Sequence, residues 1–321
     1  MPENHAKVHV IHENDEWSQP LFEALEGLGV PHADWHMGEG SLDLSAPPPA
    51  GIFYNRMSAS SHTRDHRYAP EYTAALLAWL ERHQAQVFNG SEALRLELSK
   101  VAQYQALDRA GIHTPQTHAT LGETALLEAG IAFQGRPFIT KHNRAGKGLG
   151  VRLFYEFEDL RAYVQSAAFQ PPIDGITLVQ EYIQAPTPHI TRVEFIGGEL
   201  LYAVKVDTSE GFELCPAQSC SVEDVFCPAG AGAKFEILES FEHPLVNRYQ
   251  EFLRYHNIQV AAFEFIVDAR GRTYTYDINT NTNYNPQAEA RVGIRGMQRL
   301  AAHLATALSH WRRRPENRQA A

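Results

Sequence analysis

Cysteine, cationic surplus and long apolar runs are all scarce in this 321-residue chain, and each scarcity removes a class of protein. The cysteines are Cys215, Cys220 and Cys227, too few and odd in number for a disulfide scaffold. Their C-x4-C-x6-C spacing holds no CxxC pair and no histidine at ligand distance, so a zinc ribbon is not indicated. They read as reduced thiols, and the expected location is the cytoplasm. Lys and Arg number 28 against 38 Asp and Glu, a net charge of −10, which has the wrong sign for binding nucleic-acid phosphates. No apolar run approaches the ~18–20 residues that cross a bilayer, so no membrane partner is expected. The opening MPENHAKVHVIHEND turns polar again after the short VHVI, which fits a first core strand and not a signal peptide. The basic stretch WRRRPENRQ near the C-terminus reads as a solvated tail. Internal repeats are absent, as is a G-x-S-x-G nucleophile motif.

What is present, 44% hydrophobic and 21% charged residues, is the profile of a globular protein of two or three domains. Residues 7–100 alternate strand and helix: VHVIHE, then PLFEALEGLGV with apolar residues at helical spacing. GIFYNRM, the helix EYTAALLAWLERHQ and the short QVFNG follow. That rhythm predicts a parallel sheet. The loop from Arg56 to Arg64 follows a strand's C-terminal end, where open α/β sheets bind ligands, so Arg56 and Arg64 are candidates for an anionic substrate group. An ordinary solvated loop is the alternative. His62 and His66 stand four apart but lack a third ligand.

Ser91 to Gly111 predicts one helix, closed by Gly111 with Pro115 beyond, and Lys100 lies within it. Strands are expected at 137–141 and 151–154, enclosing the glycine-rich turn Gly146-Lys147-Gly148-Leu149-Gly150. A Walker loop needs Ser or Thr after its Lys, and a dinucleotide fingerprint opens a helix; this turn does neither. It reads as a flap whose backbone N–H groups and cation can cover phosphates. Helices are expected at 157–168 and 241–256, and strand 177–183 carries Glu181, a polar residue in apolar company that needs a partner. Arg192 opens RVEFIGGELLYAVKV, two strands about Gly197-Gly198 with Lys205 near the end, and SEGFELCPAQSC reads as a loop over a cleft.

The most informative stretch is AAFEFIVDARGRTYTYDINTNTNYNP, residues 261–286. Phe263, Phe265 and Val267 alternate with Glu264, Ile266 and Asp268, a tight turn follows, and Thr273 to Ile278 returns as the partner strand. Pairing brings Glu264, Asp277 and Asn279 to one end of a hairpin, an oxygen-donor set suited to Mg²⁺; a solvated hairpin end with turn polars is the alternative. A helix from Ile294 to Trp311 closes the chain.

The order of these motifs resembles the ATP-grasp superfamily, in the RimK-like branch named for a glutamate-adding ligase. The landmarks are Lys100 followed by GIHTP, the strand PFITK with Lys141, GKGLG, LVQEYI, and FEFIVD with YDIN, over roughly residues 85–310. The resemblance implies an α/β fold with a Rossmann-like pre-ATP-grasp domain at 1–98. After it would come a small ATP-grasp subdomain at 99–184, a large one at 185–312, both with antiparallel sheets, and a tail at 313–321. It implies that Lys100, Lys141, Gly146, Lys147, Gly148, Gly150, Gln180, Glu181 and Ile183 bind ATP. Glu264, Asp277 and Asn279 would hold two Mg²⁺ ions, with Mn²⁺ as substitute. Arg192 and Lys205 would be catalytic, and Arg56, Arg64 and Asn281 would face the substrate. The implied activity is ligation of a small-molecule or peptide carboxylate to an amine through an acyl phosphate. A kinase acting on a hydroxyl, or a nucleotide-binding module without catalysis, are the alternatives, and self-association is left open. Asp277 stands where the family usually has Glu, Ile190 and Thr191 precede Arg192 in place of an acidic residue, and TNTNYNP and GFELCPAQSC replace the family's substrate segments. Glutamate addition is therefore not implied.

Overall fold

The computed structural model describes residues 6–146, 148, 150–209, 234–238 and 240–314. Lys147, Cys215, Cys220, Cys227, most of the segment SEGFELCPAQSC and the residues from 315 on lie outside them.

The N-terminal part comprises β1 (Lys7–His12), α1 (Asp15–Gly27), β2 (His32–His36), β3 (Gly51–Asn55), α2 (Ala69–Arg82) and β4 (Gln86–Phe88). Its sheet has the order β2-β1-β3-β4 and every neighbouring pair is parallel. Strand alternation splits its side chains between two cores: Val8, Val10, Ile52 and Tyr54 pack on Leu21 and Leu25 of α1, while Ile11 and Phe53 pack on Leu76, Leu77 and Leu80 of α2. β2 was not expected from the sequence, because HADWH is a half-buried edge strand whose polar residues mask its period. Helix α1 starts before the expected segment, at Asp15, because the Asn14 side chain accepts from Trp17 N and caps it; Pro20 lies inside.

The single helix expected over 91–111 is two, α3 (Ser91–Leu98) and α4 (Lys100–Arg109). Ser99 is extended, with φ −143° and ψ 109°, and its hydroxyl accepts from Ala102 N as the N-cap of α4. Lys100 is thereby the first residue of a helix, not an interior one.

Next come β5 (Thr117–Leu121), α5 (Glu123–Ile131), β6 (Phe138–His142), β7 (Arg152–Phe154), α6 (Phe157–Val164) and β8 (Ile176–Glu181). They form an antiparallel sheet of order β5-β8-β6-β7, whose Phe138, Phe154 and Val179 bury against Leu126, Phe133 and Leu160 of the α5–α6 side. The opposite face, with Ile139, Lys141 and Gln180, is turned to a cleft.

The last part holds β9 (His189–Ile196), β10 (Glu199–Asp207), β11 (Phe235–Ile237), α7 (Leu245–Tyr255), β12 (Val260–Val267), β13 (Thr273–Asn279), α8 (Pro286–Val292) and α9 (Gly296–Arg313). Its antiparallel sheet runs β11-β10-β9-β12-β13. Val193, Phe195, Ala203, Phe263 and Phe265 pack on Tyr249, Phe252 and Leu253 of α7. Helix α9 returns to the start of the chain: Leu300, Leu304, Leu308 and Trp311 join the core of β1, β3 and α1, and Arg312 donates to the Ala6 carbonyl. No helix among the described residues is long and apolar enough to cross a membrane.

Candidate active site

The cleft between the two antiparallel sheets gathers most of the residues singled out above. Lys141 and Gln180 enter from one sheet, Arg192, Glu264, Asp277 and Asn279 from the other, and Lys100 and Glu97 from the α3–α4 break. Glu181 and Ile183 line one end, Gly146 and Gly148 cover it, and Trp17, Ser58 and Ser60 close it from the N-terminal part.

The hairpin expectation holds, with an added feature. Glu264 pairs with Asp277 and the next partners are Phe265 and Thr275, so β13 carries one extra residue at that point. This bulge breaks strict alternation. Thr275 bonds the Tyr249 hydroxyl and Ile278 enters the core, both on the α7 side, while the consecutive Tyr276 and Asp277 both line the cleft. Without the bulge one of them would face the wrong way.

Lys100 Nζ donates to Asp277 Oδ1 at 2.6 Å. Its placement comes from the broken helix, since Lys100 N donates to the Asn143 carbonyl and Val101 N to the Asn143 side chain. Lys141 is 5% exposed, its ammonium 5.1 Å from the Tyr104 ring centroid and 5.6 Å from that of Tyr276. Burial and the Lys100 charge push its pKa down to about 7, against the attraction of Asp277 and Glu264. The Tyr276 hydroxyl goes the other way, raised well above 10 by burial and by Glu264 and Asp277.

At the other end Gln180 Nε2 donates to Tyr104 Oη and Thr117 Oγ1. The partner that Glu181 required is Gln116 N, at 2.7 Å. The flap is anchored by Arg144, whose guanidinium meets Glu71 of α2 at 2.7 Å. Gly150 has φ 75°, and a Cβ there would lie 2.3 Å from the His142 ring, so only glycine fits. Lys147 lies outside the described residues.

Arg192 anchors a buried network. It donates to Glu194 at 2.6 Å, Glu264 at 2.7 Å and Thr282 Oγ1 at 2.9 Å, and Thr282 in turn donates to Glu194. Burial opposes the Arg192 charge, but Glu194 and Glu264 outweigh it and hold the guanidinium protonated; burial raises the Glu194 carboxyl. Glu194 was missed in the sequence, although a separation of two on a strand puts it on the face of Arg192. Glu97 was also missed, and no local pattern marks it. Its carboxylate accepts from Ala59 N and Thr280 N, joining the N-terminal part to the loop after β13, and burial raises its pKa.

Three expected residues do not reach the cleft. Lys205 is exposed and pairs with Thr191, which pairs with Phe265; it therefore lies on the α7 side of the sheet, opposite to Arg192. Arg64 is held by Glu13 at 2.5 Å and stacks 4.7 Å over Trp17, so it supports the wall without lining it. Arg56, 2% exposed, does meet Asn281 as grouped, at 3.4 Å, and donates to Asn283 Oδ1 at 2.9 Å. It holds the 281–283 loop from behind, and Asn281 and Asn283 face the cleft.

The residues present fit a hard divalent cation. Glu264 and Asp277 offer carboxylate oxygens from paired strand positions, and Asn279, two residues beyond Asp277 on β13, lines the same cleft with an amide oxygen to offer.

Among solved structures the chain is 19% identical to a RimK domain ATP-grasp protein from Sphaerobacter thermophilus (TM-score 0.63, covering 94% of this chain and 99% of that one). It is 15% identical to D-alanyl-alanine synthetase A of Vibrio cholerae (TM-score 0.64, 95% and 98%). It is 14% identical to the ATP-grasp ligase PsnB complexed with a phosphomimetic variant of its minimal precursor, Mg and ADP (TM-score 0.63, 95% and 99%). No protein-family model and no curated protein matches the chain. At these identities the likeness establishes the fold, and this chain has the ATP-grasp fold.

Proposed function

We propose that this chain is an ATP-dependent ligase that joins a carboxylate to an amine and releases ADP and phosphate. The observation that carries the reading is the convergence of Lys100, Lys141, Arg192, Glu264, Asp277 and Asn279 on one flap-covered cleft. PsnB, which shares the fold, has been captured with Mg and ADP. In this reading residues 1–98 are a Rossmann-like pre-ATP-grasp domain, 99–184 the small subdomain and 185–312 the large one, although α9 packs on the first. The cytoplasm, with its ATP and reducing conditions, is the location it implies.

The nucleotide lies between the sheets, its base against Gln180–Ile183 and its phosphates under Gly146, Gly148 and Gly150. Lys100 and Lys141 meet the phosphate oxygens. Glu264, Asp277 and Asn279 hold Mg²⁺, two ions or Mn²⁺ in their place, which when bound draws negative charge from the transferring phosphoryl group. A substrate carboxylate oxygen attacks the γ-phosphorus, the bond to the β–γ bridging oxygen breaks, and ADP departs. An amine then attacks the acyl carbon, loses a proton and expels inorganic phosphate, leaving an amide. Arg192, kept charged by its two carboxylates, offsets negative charge on the phosphoryl oxygens and on the tetrahedral carbon's oxygen. The loop of Asn281 and Asn283, braced by Arg56, contacts the substrate.

The test is ADP release against pooled carboxylates and amines, with mass spectrometry of the product. The expected result is release that needs both partners and a product mass equal to their sum less one water. A stable phosphate ester formed without any amine would make the protein a kinase. Nucleotide binding without ADP release under every pool would make it a binding module.

A further inference from the structure

Outside the cleft, the C-terminal end of the parallel sheet carries a cluster of histidines that the ligase reading does not use. His12, at the end of β1, Asp15, in the first turn of α1, and His36, at the end of β2, each place one ligand atom within 4.8 Å of the other two. His12 and His36 are register partners on adjacent strands, with ring centroids 5.3 Å apart. From the sequence, His66 had only His62 beside it. The fold brings its ring to 5.0 Å from that of His36.

The surrounding hydrogen bonds set two of these rings, His12 and His66, as ligands. Asp34 accepts from His12 Nε2 at 2.7 Å, which leaves the lone pair on Nδ1. That Nδ1 is buried in a residue only 1% exposed and has no partner among the described residues. A carboxylate behind the far nitrogen is the usual support of a metal-binding histidine. His66 donates from Nδ1 to the Glu13 carbonyl at 2.9 Å, leaving the lone pair on Nε2, which makes no hydrogen bond among the described residues. His36 Nε2 lies 3.8 Å from Asp15 Oδ1, and its Nδ1 takes the Gly38 N–H, an exposed bond that loading through Nε2 would exchange for a metal bond. Gly38 leaves the room: a Cβ there would lie 2.7 Å from the His36 ring and 3.2 Å from His66 Nε2.

We propose that His12, Asp15 and His36, with His66 as the fourth donor, form a second metal site, for a borderline divalent cation such as Zn²⁺. Two or three imidazoles and one carboxylate are a zinc-type donor set, unlike the oxygen ligands of the cleft. Zinc bonds of about 2.0–2.1 Å put tetrahedral ligands roughly 3.3 Å apart, so loading draws the present cluster inward. The ion would tie β1, α1 and β2 to the segment that continues from Ser58 and Ser60 on the cleft wall. This assignment stands independently of the ligase reading.

The experiment uses the full chain, stripped with chelator and then given Zn²⁺ in the presence of excess Mg²⁺, which competes for oxygen-only sites. Elemental analysis after gel filtration and competitive titration read stoichiometry and affinity, and Co²⁺ loading gives a visible spectrum. The expected result is one Zn²⁺ per chain and at least a 100-fold loss of affinity in His36→Ala and Asp15→Asn. Asp34→Asn, which alters only the support of His12, should weaken binding about 10–100-fold. Asp15 and Asp34 are exposed, so their variants fold, and His32→Ala on the same strand should bind as wild type. Absence of retained zinc, or equal retention by all the variants, overturns the proposal.

Discussion

Lys100 Nζ and Asp277 Oδ1 lie 2.6 Å apart, joining the first residue of α4 to a bulged position on β13 across 177 residues of chain. The contact depends on two irregularities, the helix break at Ser99 and the bulge beside Glu264. The Lys100 ammonium thus sits on a carboxylate that the proposed reaction assigns to Mg²⁺.

Asp277→Asn should keep the fold and lose the chemistry. The charge left behind is the Lys100 ammonium, 12% exposed, which keeps an amide oxygen as acceptor, so the melting temperature should fall only modestly. Removing one charged metal ligand should lower the rate of ADP formation by at least about 10²–10³-fold. ADP release and thermal unfolding, measured together, check it; turnover like wild type removes the metal assignment.

Arg192→Met should be a stability variant as well. It leaves Glu194 and Glu264 buried without their cation, at a cost of about 3–5 kcal/mol. Adding Glu194→Gln should restore part of the loss, because one buried charge then needs no partner. Urea unfolding of the single and double variants measures the coupling, and additive losses would contradict the network.

Lys141 predicts a pH dependence with a definite sign. Its folded pKa of about 7 lies below the ordinary 10.5, so from pH 7 to 10.5 the unfolded chain holds a proton that the folded chain lacks. Its destabilising contribution is complete below pH 7 and fades as pH rises through that window. Nucleotide phosphates favour the ammonium form, so binding above pH 7 takes up a proton and affinity should fall by up to roughly tenfold per pH unit. Calorimetry in buffers of different ionisation enthalpy detects the uptake. Lys141→Arg should flatten the profile, and an unchanged slope would count against the assignment.

Gly150→Ala should disturb the flap without unfolding the sheet. A positive φ and a methyl pressed into the buried His142 ring together cost about 1–3 kcal/mol locally. The expected outcome is a raised KM for ATP, with a smaller effect of Gly146→Ala, whose Cβ would only touch Ser60 at 3.5 Å. Steady-state kinetics of the two variants decide it.

Lys205→Ala should leave turnover within about twofold of wild type, and stability within about 0.5 kcal/mol, since the side chain is exposed on the α7 side of the sheet. A large loss of kcat would show that the chemistry reaches around the strand.

Local patterns carried a large share of this protein into view before any fold was known. Alternation in 261–286 located Glu264, Asp277 and Asn279, glycine spacing located the flap, and the strand–helix rhythm of 7–100 located the parallel sheet, because each depends on neighbours within one or two turns of chain. The half-buried β2 escaped because its polar residues hide the period, and Ser99 broke a helix through a cap that looks from the sequence like any interior serine. Tertiary structure alone decided which faces meet. The bulge that turns both Tyr276 and Asp277 to the cleft, the strand parity that removes Lys205 from it, and the burial that lowers Lys141 all come from contacts between distant segments. So do the Arg192–Glu194–Thr282 network and the meeting of His12, His36 and His66, since a single sequence records spacing along the chain but not proximity across it.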